Sequence, residues 1–120
     1  MNVIDNEKTM FWDIDDTLVL RSNLDPNNLL NVYCPYDYST IVVTPHLEHI
    51  KCLKDHKARN YHITVWSHGG AKWAEAVIIA LGLENYVDEI RTKPLKAFDD
   101  RPVAEIFGET IYIPYTKKKV

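Results

Sequence analysis

Glycine is scarce in this chain, and its scarcity excludes two large functional classes. Of 120 residues only four are glycine, and only Gly69 and Gly70 are adjacent. Neither a GxGxxG dinucleotide fingerprint nor a GxxxxGK[ST] phosphate loop fits that distribution. Two cysteines, Cys34 and Cys52, are too few for a disulfide framework and lack CxxC spacing, so reduced thiols in a cytosol are expected. No sign of charge dominates. The formal net charge of −3 removes a global basic footprint for nucleic acid and leaves only a local patch open. Long apolar runs are missing too: the most apolar stretch, Ala76 to Leu83, is far too short for a bilayer. The start, Met-Asn-Val-Ile-Asp-Asn-Glu, is acidic where a signal peptide is basic. There is no internal repeat, and the run Lys117–Lys119 is expected to be a solvated tail rather than a nucleic-acid contact. The expected setting is the cytoplasm, away from membranes.

What remains is one domain's worth of ordinary globular sequence, 46% hydrophobic and 26% charged. Thr9-Met10-Phe11-Trp12 reads as a buried strand that ends abruptly in Asp13. Turn-rich sequence around Val32 and Tyr33 predicts an irregular hairpin over residues 18–43. Thr44-Pro45 predicts a helix start, with the proline at the first helical position and Leu47, Ile50 and Leu53 as the buried stripe to about Lys57. Tyr61 to Trp66 predicts a second strand ending at Ser67. A second helix follows from Gly70 to Leu81, with Trp73, Val77, Ala80 and Leu81 on one face and Gly82 as C-cap. Val87–Ile90, Leu95–Phe98 and Thr110–Ile113 are further strand candidates, with a helix around Pro102–Phe107. Alternating strands and helices imply a parallel sheet covered on both faces, with ligands at the carboxyl ends of its strands.

Those ends carry chemistry. Asp13-Ile14-Asp15-Asp16-Thr17 places three carboxylates within four residues, a cluster suited to Mg²⁺, which accepts one or two carboxylates and keeps several waters. Asp99-Asp100 supplies a second acidic pair. Ser67, ahead of Gly69-Gly70 and a helix, offers a hydroxyl and free backbone N–H groups to an anion, and Lys93 offers a positive charge. Carboxylates, a metal, a hydroxyl and an ammonium around one cleft are the tools of phosphoryl transfer.

These residues resemble the four motifs of the haloacid dehalogenase (HAD) superfamily of phosphohydrolases. Phe11-Trp12-Asp13-Ile14-Asp15-Asp16-Thr17-Leu18 matches the first motif, Ile63-Thr64-Val65-Trp66-Ser67 the second, Thr92-Lys93-Pro94 the third and Ala97-Phe98-Asp99-Asp100 the fourth. An isolated DxDxT arises by chance in about 2% of chains of this length; the ordered set is much rarer. The resemblance spans residues 9 to about 113 and is similar to small proteins often carried by bacteriophages. It implies a Rossmann-like three-layer α/β/α sandwich with a central parallel sheet, forming a single domain over 1–120, in the host cytoplasm if phage-encoded.

The resemblance also implies roles. Asp13 is the nucleophile, giving an aspartyl-phosphate, and Asp15 is the general acid and then base. Ser67 and Lys93 serve the phosphoryl group, with Thr17, His68 and Gly69 beside them in binding substrate. Mg²⁺ sits with Asp13, Asp15, Asp99 and Asp100. Two departures stand out: Asp16 takes a place where the family often has glycine, and Lys96 rivals Lys93 for the third motif. No room exists for a cap domain, so the cleft is open to a nucleotide, a nucleic-acid end or a phosphoprotein, or is roofed by a second subunit. Tyr33, Tyr36 and Tyr38 of the flap are expected either to touch substrate or to pack on the body. His49, Cys52 and His56 at i, i+3 and i+7 carry a zinc reading against that of a solvated helix face. Trp66 and Trp73 read as core. Competing functions are a HAD-fold binding protein without turnover and a receiver-like phosphoacceptor module. The latter lacks its acceptor aspartate, since Asp55 falls inside a helix.

Overall fold

The structure is a computed structural model that describes residues 6–117; the acidic start and the end of the lysine run lie outside the described residues. Two sheets organise the chain. β1 (Thr9–Asp13), β5 (His62–Ser67) and β6 (Glu89–Thr92) form a parallel sheet in the order β1-β5-β6. β2 (Val19–Leu20), β3 (Leu30–Tyr33) and β4 (Thr40–Pro45) form an antiparallel sheet in the order β2-β4-β3. α1 (Leu47–Ala58) links β4 to β5, and α2 (Ala71–Leu81) links β5 to β6.

β5 is the central strand and the most buried: Ile63, Val65 and Ser67 are fully enclosed. Its partners align so that Asp13 sits opposite Trp66, and Thr92 opposite Ser67. One contiguous core joins Trp12, Ile14, Leu18, Leu53, Val65, Val77 and others. The parallel sheet with its helical crossovers and the flap hairpin are as the sequence predicts. α2 ends where expected, on Gly82 in the left-handed region at φ 69, which glycine adopts without penalty.

Several expectations are corrected. Thr44 and Pro45 do not open α1. They end β4, opposite Leu20 and Val19, and the Thr44 hydroxyl accepts the Asp25 amide at 2.8 Å. His46 caps the helix instead, its Nδ1 accepting the His49 amide. Leu47 is therefore exposed, while His49 and Leu53 form the buried stripe. The last paired strand starts at Glu89 rather than Val87, because the Asp88 carboxylate caps the Ile63 amide at 2.7 Å just before pairing begins. Leu95–Phe98 and Thr110–Ile113 form no strand. A strand exists only where a neighbour accepts its hydrogen bonds, and neither segment has one among the described residues. Residues 102–107 reduce to a single 3₁₀ turn, Val103–Glu105.

The flap is pinned to the body at one close approach. Gly70, at φ +104, lies against the Tyr36 hydroxyl, where any Cβ would overlap it. Tyr36 thus touches the body through its hydroxyl but is itself half exposed, and Tyr33 and Tyr38 are exposed with their rings 6.4 Å apart. Gly70→Ala is expected to cost about 1–3 kcal/mol from backbone strain and the clash. Adding Tyr36→Phe should recover part of that loss in urea denaturation, since the double variant removes the overlapping oxygen.

Candidate active site

Three strand ends meet at one edge of the parallel sheet. β1 delivers Asp13, and the chain then turns sharply, with the Ile14 carbonyl accepting the Thr17, Leu18 and Val19 amides at 3.3, 2.9 and 3.2 Å. Ile14 and Leu18 anchor this turn in the core, fully buried, so the residues between them are presented at the surface. Asp16 takes φ 61. That left-handed conformation accounts for the place being one where glycine serves and aspartate is tolerated. β5 delivers Ser67, and the Lys93 amide donates to the Ser67 carbonyl at 2.9 Å, which holds the end of β6 alongside.

Each carboxylate has its own donors, which is how three of them coexist. Asp13 Oδ2 accepts the Thr17 hydroxyl at 3.1 Å, and Lys93 Nζ lies 3.9 Å from Asp13 Oδ1. Asp15 accepts from Ser67 Oγ at 3.1 Å, Trp73 Nε1 at 3.0 Å and Arg21 Nη1 at 3.2 Å. Asp16 Oδ1 accepts the Arg21 amide at 3.1 Å. About one third of the Asp13 and Lys93 side chains remains exposed, so this pair faces solvent and can meet a ligand. Ser67 is fully buried and its Oγ also accepts the Gly69 amide at 2.9 Å.

The structure thus brings together Asp13, Asp15, Thr17, Ser67, Gly69 and Lys93. His68 is exposed, and the cap position before α2 belongs to Gly70 with no side-chain bond. Lys93 rather than Lys96 stands beside Asp13. Lys96 lies with Leu95 and Phe98 along an open surface. Asp99 and Asp100 are exposed, and the Asp99 carboxylate turns back onto the Arg101 amide at 3.0 Å. Among the described residues no three His, Cys, Asp or Glu side chains are grouped to hold a metal ion. Mg²⁺ needs only one or two carboxylates beside its waters. The Asp13 carboxylate fits that demand, and Asp99 and Asp100 do not reach it as placed. The zinc reading of His49, Cys52 and His56 is corrected: both His49 ring nitrogens and His56 Nδ1 are taken by backbone groups.

Two partners of Asp15 escape sequence inspection. Arg21 lies in the flap and packs its guanidinium 5.0 Å from the Trp73 ring centre. Trp73 is core, at 3% exposure, but its indole N–H makes it a site residue as well. Trp66 is only half-buried, stacked on Phe11 at 4.1 Å and with Lys93 Nζ 5.7 Å from its ring centre. A cavity of about 990 Å³ runs from Asp13 and Lys93 along β1, walled by α1 and by the C-terminal residues 106–113.

Trp73→Phe keeps most of the ring and removes the donor to Asp15, and is expected to cost about 1–3 kcal/mol in urea denaturation. Trp12→Phe is the control: the buried Trp12 Nε1 has no hydrogen-bond partner among the described residues, so its loss should cost less. In comparisons with protein-family models, curated proteins and solved structures the chain has no match, and the chemistry of the site rests on its own residues.

Proposed function

We propose that this chain is a phosphohydrolase that cleaves phosphate monoesters through an aspartyl-phosphate on Asp13. The observation that carries the reading is the convergence of Asp13, Asp15, Ser67 and Lys93 at the carboxyl ends of three parallel strands. Its fold, on this reading, is the HAD-like three-layer sandwich without a cap, working in the cytoplasm.

The chemistry follows from the donors. An Asp13 carboxylate oxygen attacks phosphorus, and the bond to the ester oxygen breaks. Asp15, which takes up a proton from water as Ser67 turns away from it, gives that proton to the departing alkoxide, leaving an acyl phosphate on Asp13. Water then attacks that phosphorus while Asp15 takes its proton, which releases inorganic phosphate and restores both carboxyl groups. The Ser67 hydroxyl turns from Asp15 to a phosphoryl oxygen, and Lys93 balances the charge between phosphate and nucleophile. The Thr17 hydroxyl holds Asp13 Oδ2 and so orients Oδ1. Mg²⁺ would be held by the Asp13 carboxylate and, as the resemblance implies, the Asp15 backbone carbonyl; Asp99 and Asp100, which the resemblance adds, do not reach this place. It would supply positive charge that lets two anions approach.

The open site suits a phosphate carried on a large molecule, and a nucleotide, a phosphorylated nucleic-acid end and a phosphoprotein are the candidates. Phosphate release from para-nitrophenyl phosphate should require Mg²⁺. Asp13→Asn should lower the rate by at least about 10³-fold and Asp15→Asn by about 10²–10⁴-fold, with the fold intact by circular dichroism. Wild type that is folded and releases phosphate from none of para-nitrophenyl phosphate, nucleotides, 5′-phosphorylated oligonucleotides and phosphopeptides overturns the proposal.

A further inference from the structure

Outside the carboxylate cluster, the most tightly defined polar arrangement is a pair of stacked histidines. His46 and His49 lie face to face at the start of α1, with ring centres 3.7 Å apart and planes within 4°. Both are buried, at 0% and 3% exposure. Their partners fix their protons. His46 Nδ1 accepts the His49 amide at 3.2 Å, so its proton is on Nε2, which donates to the Ile113 carbonyl at 2.6 Å. His49 Nε2 accepts the Ile113 amide at 2.8 Å, so its proton is on Nδ1, which donates to the Thr17 carbonyl at 2.8 Å. Two neutral imidazoles in complementary tautomers therefore grip both backbone polar groups of Ile113, as a neighbouring strand would.

The rest of the contact is made by the same C-terminal segment. Tyr112 packs edge-on against both rings, and Tyr115 against His46. The Tyr115 hydroxyl donates to Asp25 Oδ2 at 2.8 Å and accepts from Asn28 Nδ2 at 3.0 Å. Residues 106–113 form one wall of the cavity that ends at Asp13 and Lys93. His49 also touches the catalytic turn, since Thr17 holds Asp13 through its hydroxyl.

We propose that the His46–His49 pair is a pH-sensitive latch that holds the C-terminal segment along the wall of this cavity while His49 is neutral and lets it go when His49 is protonated. On His49 a proton can enter only at Nε2, because Nδ1 already carries the hydrogen given to Thr17. Nε2 is accepting the Ile113 N–H, so protonation sets donor against donor and breaks that bond. The groups facing the pair are Glu48 on α1, the Tyr112 and Tyr115 phenols with Asp25 behind them, and Thr17 with Asp13 behind it. His56, farther along α1, is engaged by the Cys52 carbonyl.

Burial holds the His49 imidazolium off, and the imidazole of His46 stacked beside it adds to this. Together they outweigh the Thr17 carbonyl and Glu48, so His49 titrates below its ordinary value of 6.5. The sign follows: a histidine with depressed folded pKa contributes stability above 6.5 that is lost as pH falls through the lower value. The latch is closed at neutral pH and opens as the pH falls through that lowered value.

The test is amide-exchange protection of Ile113 in the full chain by NMR, corrected for intrinsic rates, at pH 7.5 and 5.0. Wild type should lose protection at least about 10-fold at the lower pH. His49→Gln keeps an acceptor near the Nε2 place and cannot titrate, so its protection should change less than about 3-fold. His46→Asn keeps the helix cap and drops the carbonyl contact, and should leave Ile113 weakly protected at both values. Should a variant fail to fold, the wild-type His49 Cε1–H signal decides, because it must titrate together with the loss of protection. Equal wild-type protection at both pH values, the same loss in His49→Gln, or histidine titration with Ile113 still protected overturns the latch. None of these readouts uses turnover, so the latch stands or falls apart from the phosphohydrolase reading.

Discussion

Three carboxylates in one turn repel each other, and most of what surrounds the turn serves to keep them in place. The charge is not dissipated by distance. Asp13 leans on Lys93 from the end of β6, Asp15 on Ser67 from β5, Trp73 from α2 and Arg21 from the flap, and Asp16 on the Arg21 backbone. β5, β6, α2 and the flap contribute directly, and α1 contributes through His49 to Thr17. Ion pairs this exposed add little to stability by themselves. Their effect is positional, because the buried anchors Ile14 and Leu18 already fix the backbone that carries the charges.

The two principal carboxylates are treated differently. Asp13 has one hydroxyl donor and a lysine at 3.9 Å, and stays partly open to solvent. Asp15 is held by three side-chain donors from three separate elements. A loosely held carboxylate beside a cation suits attack on an anionic group. A carboxylate locked in direction suits repeated proton transfer along one line. The asymmetry matches the division of labour proposed for them.

Much of the frame was legible because it is local. An apolar run broken by Asp13, alternation ending at Ser67, and a helix closed by Gly82 are patterns read within a few residues. Lys93 was legible as the lysine of the local motif Thr92-Lys93-Pro94. What was not legible depends on partners far along the chain. Leu95–Phe98 has strand-like composition but no neighbour to pair with, and Leu95 and Phe98 are left almost wholly exposed. Thr44-Pro45 looks like a helix start, yet β2 claims it as a strand. His46 and His49 resemble surface histidines until Ile113, more than sixty residues later, folds back on them. Arg21 and Trp73 carry no motif, and only the closed fold brings them to Asp15.

The placing of the indoles has an optical consequence. Of the three tryptophans in the chain, Trp73 shares a hydrogen bond with Asp15, and Trp66 lies within 5.7 Å of the Lys93 ammonium. Indole emission responds to nearby charge and to the polarity of its N–H partner. A ligand that draws Lys93 aside changes the surroundings of Trp66, and one that turns Asp15 changes those of Trp73. The protein therefore carries an unlabelled fluorescent record of what happens at its own carboxylates.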